Sequence, residues 1–184
     1  MSEKIKKNLR IKCLKKRELV ENKVNKEKEI VKKLKNLLNC NSLVTAVYYS
    51  TKSEVNLIDF VCHMHTNQQK ILLPVINKIN SPLLFKEWKA DDKLIPGKYG
   101  IMTPSTKFYA TPKILIVPML AFDKNKDRLG YGGGDYDRTI SFLEKNSNIL
   151  KFGVAFDEQE IKKVPTMSFD KKMDLILTPT KIII

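Results

Sequence analysis

The chain has 184 residues and a formal charge of +14, with 42% hydrophobic and 29% charged residues. That length fits one domain able to bury a sizeable core, and the composition excludes a disordered or collagen-like chain. No run reaches the about 18 apolar residues of a membrane span, and the basic start lacks the apolar segment of a secretory signal, so a soluble, cytoplasmic protein is expected. Three cysteines, Cys13, Cys40 and Cys62, are odd in number and irregularly spaced, which suits reduced thiols. Residues 1–38 carry 14 Lys or Arg against 5 Glu. Such a segment can track nucleic-acid phosphates, but it holds no aromatic residue for stacking on bases and no reader motif. A solvated, lysine-rich helix surface is therefore the expectation, without a nucleic-acid or membrane partner.

In chain order, residues 3–38 read as helix with a break near Asn22 to Asn25; Ile5 and Leu9 open one apolar face, and Ile30, Val31, Leu34, Leu37 and Leu38 form a later stripe. Lys6 and Arg10 stand four apart, so both project from one face, as a pair of surface cations or as a shared grip on an anion. Leu43 to Tyr49 reads as the first buried strand. Glu54 follows in a short polar loop, either capping the next helix or facing a ligand crevice beyond the strand's carboxyl end. His63 and His65, two apart on that helix, point to different faces and make no metal pair. Lys70 to Ile76 reads as a second strand. Residues 77–113, with Phe85, Trp88 and Tyr99-Gly100-Ile101 among prolines and charges, read as a loop-rich wall, and Trp88 by itself as core filler.

Ile114 to Pro118 is a strand that leads into the most specific stretch of the chain, where four of its seven glycines lie between Gly130 and Gly134. A helix follows, with Tyr136, Ile140 and Leu143 on one face. Strand, glycine loop and helix start together offer inward backbone N–H groups and a positive dipole end, which suit phosphate. Arg128 and Arg138 bracket the loop, and Asp137 supplies a hard oxygen beside them, as a magnesium-nucleotide site requires. A long surface loop with Asp135 as helix N-cap stays open as the plainer alternative. The P-loop and first-turn Rossmann patterns are absent. Phe152 to Phe156 and Leu175 to Thr178 read as further strands, Asp170 and Asp174 stand four apart before the latter, and Ile182 to Ile184 reads as a last strand or an ordering tail. Alternating strands and helices predict one α/β domain over residues 1–184, with a mostly parallel sheet covered on both faces.

The runs Ile116-Val117-Pro118-Met119-Leu120-Ala121-Phe122-Asp123, Arg128-Leu129-Gly130-Tyr131-Gly132-Gly133-Gly134 and Tyr136-Asp137-Arg138 closely resemble the signature of the 5-formyltetrahydrofolate cyclo-ligase family. That signature reads Val-Pro-x-Leu-Ala-Phe-Asp, then Arg-Leu-Gly-x-Gly-x-Gly-Tyr-Tyr-Asp-Arg. The resemblance extends from Lys6 to Thr178 and includes Gly100-Ile101-Met102-Thr103-Pro104. It implies a three-layer α/β/α fold and ATP-dependent conversion of 5-formyltetrahydrofolate to 5,10-methenyltetrahydrofolate, with release of ADP and phosphate. It further implies that Lys6, Arg10, Arg128, Leu129, Gly130, Tyr131, Gly132, Gly133, Gly134 and Tyr136 hold ATP, with Arg128 and Tyr136 closest to the chemistry. By the same resemblance Tyr49, Glu54 and Trp88 meet the folate, and Asp137 and Asp174 serve Mg2+. Two positions depart from the pattern: Asp135 stands for the first tyrosine, and Phe169 for the usual histidine. A binding protein without turnover is the alternative that Asp135 raises; a monomer with only small-molecule partners is expected.

Overall fold

The computed structural model describes residues 2–38, 43–89, 91–97 and 102–184, with side chains from residue 4 onward. Cys40, Tyr99, and the Gly100-Ile101 part of the Gly-Ile-x-x-Pro element, lie outside the described residues. The predicted N-terminal helix is two, α1 (Ser2–Glu18) and α2 (Lys23–Leu38). Asn22, at a positive φ of 53°, turns the chain between them. Strand β1 (Thr45–Ala46) is followed by α3 (Ile58–Thr66) and β2 (Ile71–Val75). Three short strands then occupy the region read as irregular wall: β3 (Leu84–Glu87), β4 (Leu94–Pro96) and β5 (Met102–Pro104). They are too brief for a period-two pattern to register.

Strand β6 (Ile114–Pro118), the small hairpin β7 (Ala121–Phe122) and β8 (Arg128–Leu129), helix α4 (Asp135–Asn146) and β9 (Leu150–Val154) form the second half. A 3-10 turn (Asp157–Gln159) precedes β10 (Leu175–Leu177) and β11 (Ile182–Ile183). The main sheet has seven strands in the order β11-β10-β9-β6-β1-β2-β3. Its five inner strands are parallel, and β3 and β11 close the edges antiparallel. A mostly parallel α/β sheet is thus observed as expected.

Both faces of the sheet are covered, and the inner strands β2, β6 and β10 are apolar throughout for that reason. Ile71, Leu73, Ile114 and Ile116 turn to one face and pack with Ile30, Leu34 and Phe60 of α2 and α3. Their neighbours Leu72, Leu115 and Val117 turn to the other and pack with Ile140 and Leu143 of α4. Helix α1 belongs to neither layer. It packs Leu9, Cys13 and Leu14 against Leu120, Ala121 and Leu129 of the β7–β8 hairpin, over the carboxyl ends of the strands. From β1 the chain crosses to β2 on one side, whereas from β6 it crosses to β9 on the other. The gap between β1 and β6 is therefore a switch point of the winding, where open α/β sheets form a ligand crevice.

Candidate active site

A cavity of about 590 Å³ opens at that switch point, within the usual size range for small-molecule sites. Pro118 and Pro74, at the ends of β6 and β2, form its floor with Tyr48 and Tyr49, which continue the chain beyond β1. The glycine loop makes one wall, Thr51, Lys52 and Glu54 another, and Lys6 and Arg10 of α1 reach in from above. Phe169 and Asp170 complete the rim.

Each cation is held in place. Lys6 is only 5% exposed, and its Nζ meets Asp170 Oδ2 at 2.5 Å. Arg10 donates from Nε to the Gly130 carbonyl at 3.1 Å and lies flat along the loop. The Arg128 guanidinium donates from Nη2 to Asp137 Oδ1 at 2.8 Å and from Nη1 to the Lys171 carbonyl. Asp137 Oδ1 also accepts the Lys171 N–H at 2.9 Å, so both donors converge on one oxygen of a residue that lines the cavity. The tyrosines beside the cavity stay protonated: burial, reinforced by the Glu54 carboxylate, pushes the Tyr136 phenol far above its ordinary range and raises that of Tyr131.

Glu54 is not a helix cap. Its Oε2 accepts from the Thr51 N–H at 2.9 Å and the Thr51 hydroxyl at 3.1 Å, closing its own turn, while the first N–H of α3, that of Ile58, goes to Asn56 Oδ1 at 3.0 Å. Asp135 is not the N-cap of α4 either. Gly134, at a positive φ of 68°, takes that place, and Asp135 becomes the first helical residue. Its carboxylate pairs with Arg138 at 2.7 Å instead of a backbone N–H. Arg138 also donates to the Gly133 carbonyl at 2.7 Å, so it braces the loop and is not among the residues lining the cavity. Exchange of the half-exposed Asp135 for Asn is expected to lower stability by about 0.5 kcal/mol, as for a surface ion pair at this spacing. Thermal melting checks it.

Two of the residues assigned to the site through the resemblance are not in the cavity wall. Trp88 is buried behind Tyr49, their rings meeting edge-on at 6.2 Å, and it borders a separate cavity of about 180 Å³. Asp174 stands at the entry of β10, where its Oδ2 accepts the Lys151 N–H at 2.7 Å and its Oδ1 lies 3.3 Å from Lys151 Nζ. Position four before it, Asp170, is the one that faces the site. His63 contacts Asn67 and His65 the Trp88 carbonyl, and no group of three metal-ligating side chains occurs among the described residues.

Arg17 went unnoticed in the sequence. It is 1% exposed and sits directly behind the loop. The signal was present: positions 6, 10, 13 and 17, spaced four, three and four, line the one face of α1 that turns inward.

The sequence model of the 5-formyltetrahydrofolate cyclo-ligase family matches residues 2–179. The chain belongs to that family. It is similar to the 5-formyltetrahydrofolate cyclo-ligase of Haemophilus influenzae, with 29% identity over 131 residues, 68% of this chain and 70% of that relative. The Escherichia coli enzyme of the same name is 27% identical over 143 residues, covering 74% and 78%. The solved structure of 5,10-methenyltetrahydrofolate synthetase from Aquifex aeolicus superimposes with a TM-score of 0.81 over 97% of this chain and 91% of that one, at 26% identity. A synthetase from Mycoplasma pneumoniae, at 24% identity and a TM-score of 0.72 over 95% and 98% of the two chains, shares the fold.

Proposed function

We propose that this protein closes 5-formyltetrahydrofolate to 5,10-methenyltetrahydrofolate at the expense of ATP, and that the cavity between β1 and β6 is where it does so. The observation that carries this is the convergence of Lys6, Arg10, Arg128 and the glycine loop on one wall, facing Glu54 and Tyr49 on the other. A formyl oxygen on nitrogen is a poor leaving group. Transfer of the terminal phosphoryl group of ATP onto that oxygen makes it a good one, the second folate nitrogen then attacks the formyl carbon and loses its proton to solvent, and phosphate departs with the oxygen. Such chemistry asks for alignment and charge neutralisation and needs no protein nucleophile.

The three cations and the backbone N–H groups of the loop would neutralise and align the phosphates. Tyr136, held as a neutral O–H donor, would steady the reacting group, and Glu54 would accept hydrogen bonds from the pterin. Asp137 fits a magnesium ion, since one carboxylate oxygen is fixed by two donors and the other remains. Magnesium is commonly held by one or two carboxylates with water and nucleotide phosphates, and it would supply charge neutralisation there. Asp174 does not fit that part. Asp137→Asn is expected to raise the magnesium requirement for turnover several-fold, whereas Asp174→Asn should leave the titration near wild type and lower the melting temperature. Equal shifts in both variants would restore Asp174 to the metal.

The deciding experiment follows methenyl-folate absorbance with ATP and magnesium omitted in turn; formation without ATP, or none with both present, sinks the assignment. Glu54→Gln should raise the folate KM at least about tenfold, the lower end for a charged hydrogen bond lost at a buried site, while ATP KM moves little. A Glu54 that only closes its turn would lose stability with an unchanged folate KM. We place the enzyme in the cytoplasm as a monomer; the free thiols Cys13 and Cys62 support a reducing compartment. No helix among the described residues is long and apolar enough to cross a membrane.

A further inference from the structure

Arg17 is a fully enclosed guanidinium with every nitrogen engaged, and its partners come from three different segments. Nε donates to the Ser53 hydroxyl at 3.0 Å, Nη1 to the Met119 carbonyl at 3.1 Å, and Nη2 to the Tyr131 hydroxyl. All three acceptors are neutral, although a buried charge ordinarily takes a carboxylate. Ser53 is the neighbour of Glu54 and belongs to the proposed folate wall. Tyr131 is flanked by Gly130 and Gly132 in the proposed nucleotide wall. Met119 follows β6 at the switch point, and its carbonyl is fixed independently by Gln159 Nε2 at 2.6 Å.

The geometry is that of a hub: one rigid fork, anchored on the sheet through Met119, with one arm on each wall. Tyr131 is the exposed partner. The residue is 45% exposed and lies in a loop with glycines on both sides, and the guanidinium carbon of Arg17 and the Lys52 ammonium sit 5.5 Å and 5.7 Å from its ring centroid. Glycines leave the loop backbone many conformations to lose on binding phosphate. The tether from Arg17 to Tyr131 removes part of that loss, but only while the Ser53–Glu54 turn holds the other arm of the fork.

We propose that Arg17 is a positioning residue that couples the two walls through Tyr131, so that nucleotide and formyl-folate strengthen each other's binding. This rests on the assignment of the walls to those ligands. A ligand that orders either wall fixes the fork, and the second ligand then meets a wall already in place; the effect is reciprocal by linkage. Neither ligand touches Arg17, which lies behind both walls.

The test is equilibrium binding of a non-hydrolysable ATP analogue with magnesium to the full chain, with and without saturating 5-formyltetrahydrofolate, in wild type, Tyr131→Phe and Arg17→Lys. The readout is the ratio of the two affinities. In wild type the folate should tighten nucleotide binding at least about fivefold, the lower end of ordinary coupling. In Tyr131→Phe, which deletes the one hydroxyl that accepts from Arg17 Nη2, the ratio should fall to about one. Arg17→Lys, which keeps the charge but loses the fork, should behave alike wherever it folds. A purely structural Arg17 would lower the melting temperature and keep the wild-type ratio. That result, or a wild-type ratio of one in an enzyme that forms methenyl-folate, overturns the coupling. A wild-type protein that neither binds the folate nor turns it over overturns the functional assignment as well.

Discussion

Replacement of Arg128 by Met is expected to lower kcat/KM by at least about 100-fold, the loss typical when one preorganised donor to developing charge is removed. The side chain is 5% exposed and does two things at once. It presents cationic charge to the cavity, and it pins Asp137 and the Lys171 carbonyl to the start of α4. Methionine fills much of the volume and supplies neither. Asp137 would then be left with the Lys171 N–H alone, and breaking such a partly enclosed pair is expected to cost about 3 kcal/mol of stability. Arg128→Lys separates the two effects. It keeps a charge but cannot span both acceptors, so it should regain stability before it regains rate. Steady-state methenyl formation beside thermal melting measures both, and a Met variant within tenfold of wild type would remove Arg128 from the chemistry.

Gly132→Ala is expected to raise the ATP KM about tenfold or more and to destabilise the fold by about 1–2 kcal/mol. At a φ of 101° the backbone adopts a conformation that L side chains rarely hold, and an added Cβ would come within 2.9 Å of the Arg10 guanidinium carbon. The cation that lies along the loop would have to leave it. Gly130 supplies the comparison, because nothing stands within 4 Å of a Cβ there. Gly130→Ala should melt close to wild type. Equal melting temperatures for the two variants would show that Arg10 does not depend on the bare backbone of Gly132.

Much of this was legible from residue patterns, and the failures share a cause. Strand β6 and helix α4 were readable because each buries its side chains in a sheet-and-helix core, where apolar periodicity is the signal. Helix α1 covers a polar crevice, and there the pattern inverts: Ile5 and Ile11 are half exposed while Lys6 and Arg17 are buried. Apolar spacing pointed to Ile5 and passed over Arg17. The strand expected from Leu43 to Tyr49 is regular only at Thr45–Ala46; backbone bonds at Val44 and Val47 extend its pairing by one residue at each end, and Tyr48 and Tyr49 beyond them line the cavity. Asp135 was read as a cap from its residue type, but the left-handed Gly134 had already made the turn into the helix. Asp170 and Asp174 are indistinguishable in sequence as carboxylates ahead of a strand. Only the register of β10 against β9, with Leu175 opposite Phe152, sends the second one to Lys151 and away from the site.

The contact between Lys6 and Asp170 joins residues 164 positions apart. On a ribosome, therefore, Lys6 is made long before its partner, which follows every strand through β9. A nascent chain that has emerged as far as β9 can pair the central strands, but it cannot close this grip. A ligand held by this grip would then stabilise finished molecules selectively, since a ligand that binds only the folded form lowers the unfolded fraction by mass action. Such a ligand would act as a late checkpoint on synthesis, and chains arrested before residue 170 would remain open to proteases however well their core had formed.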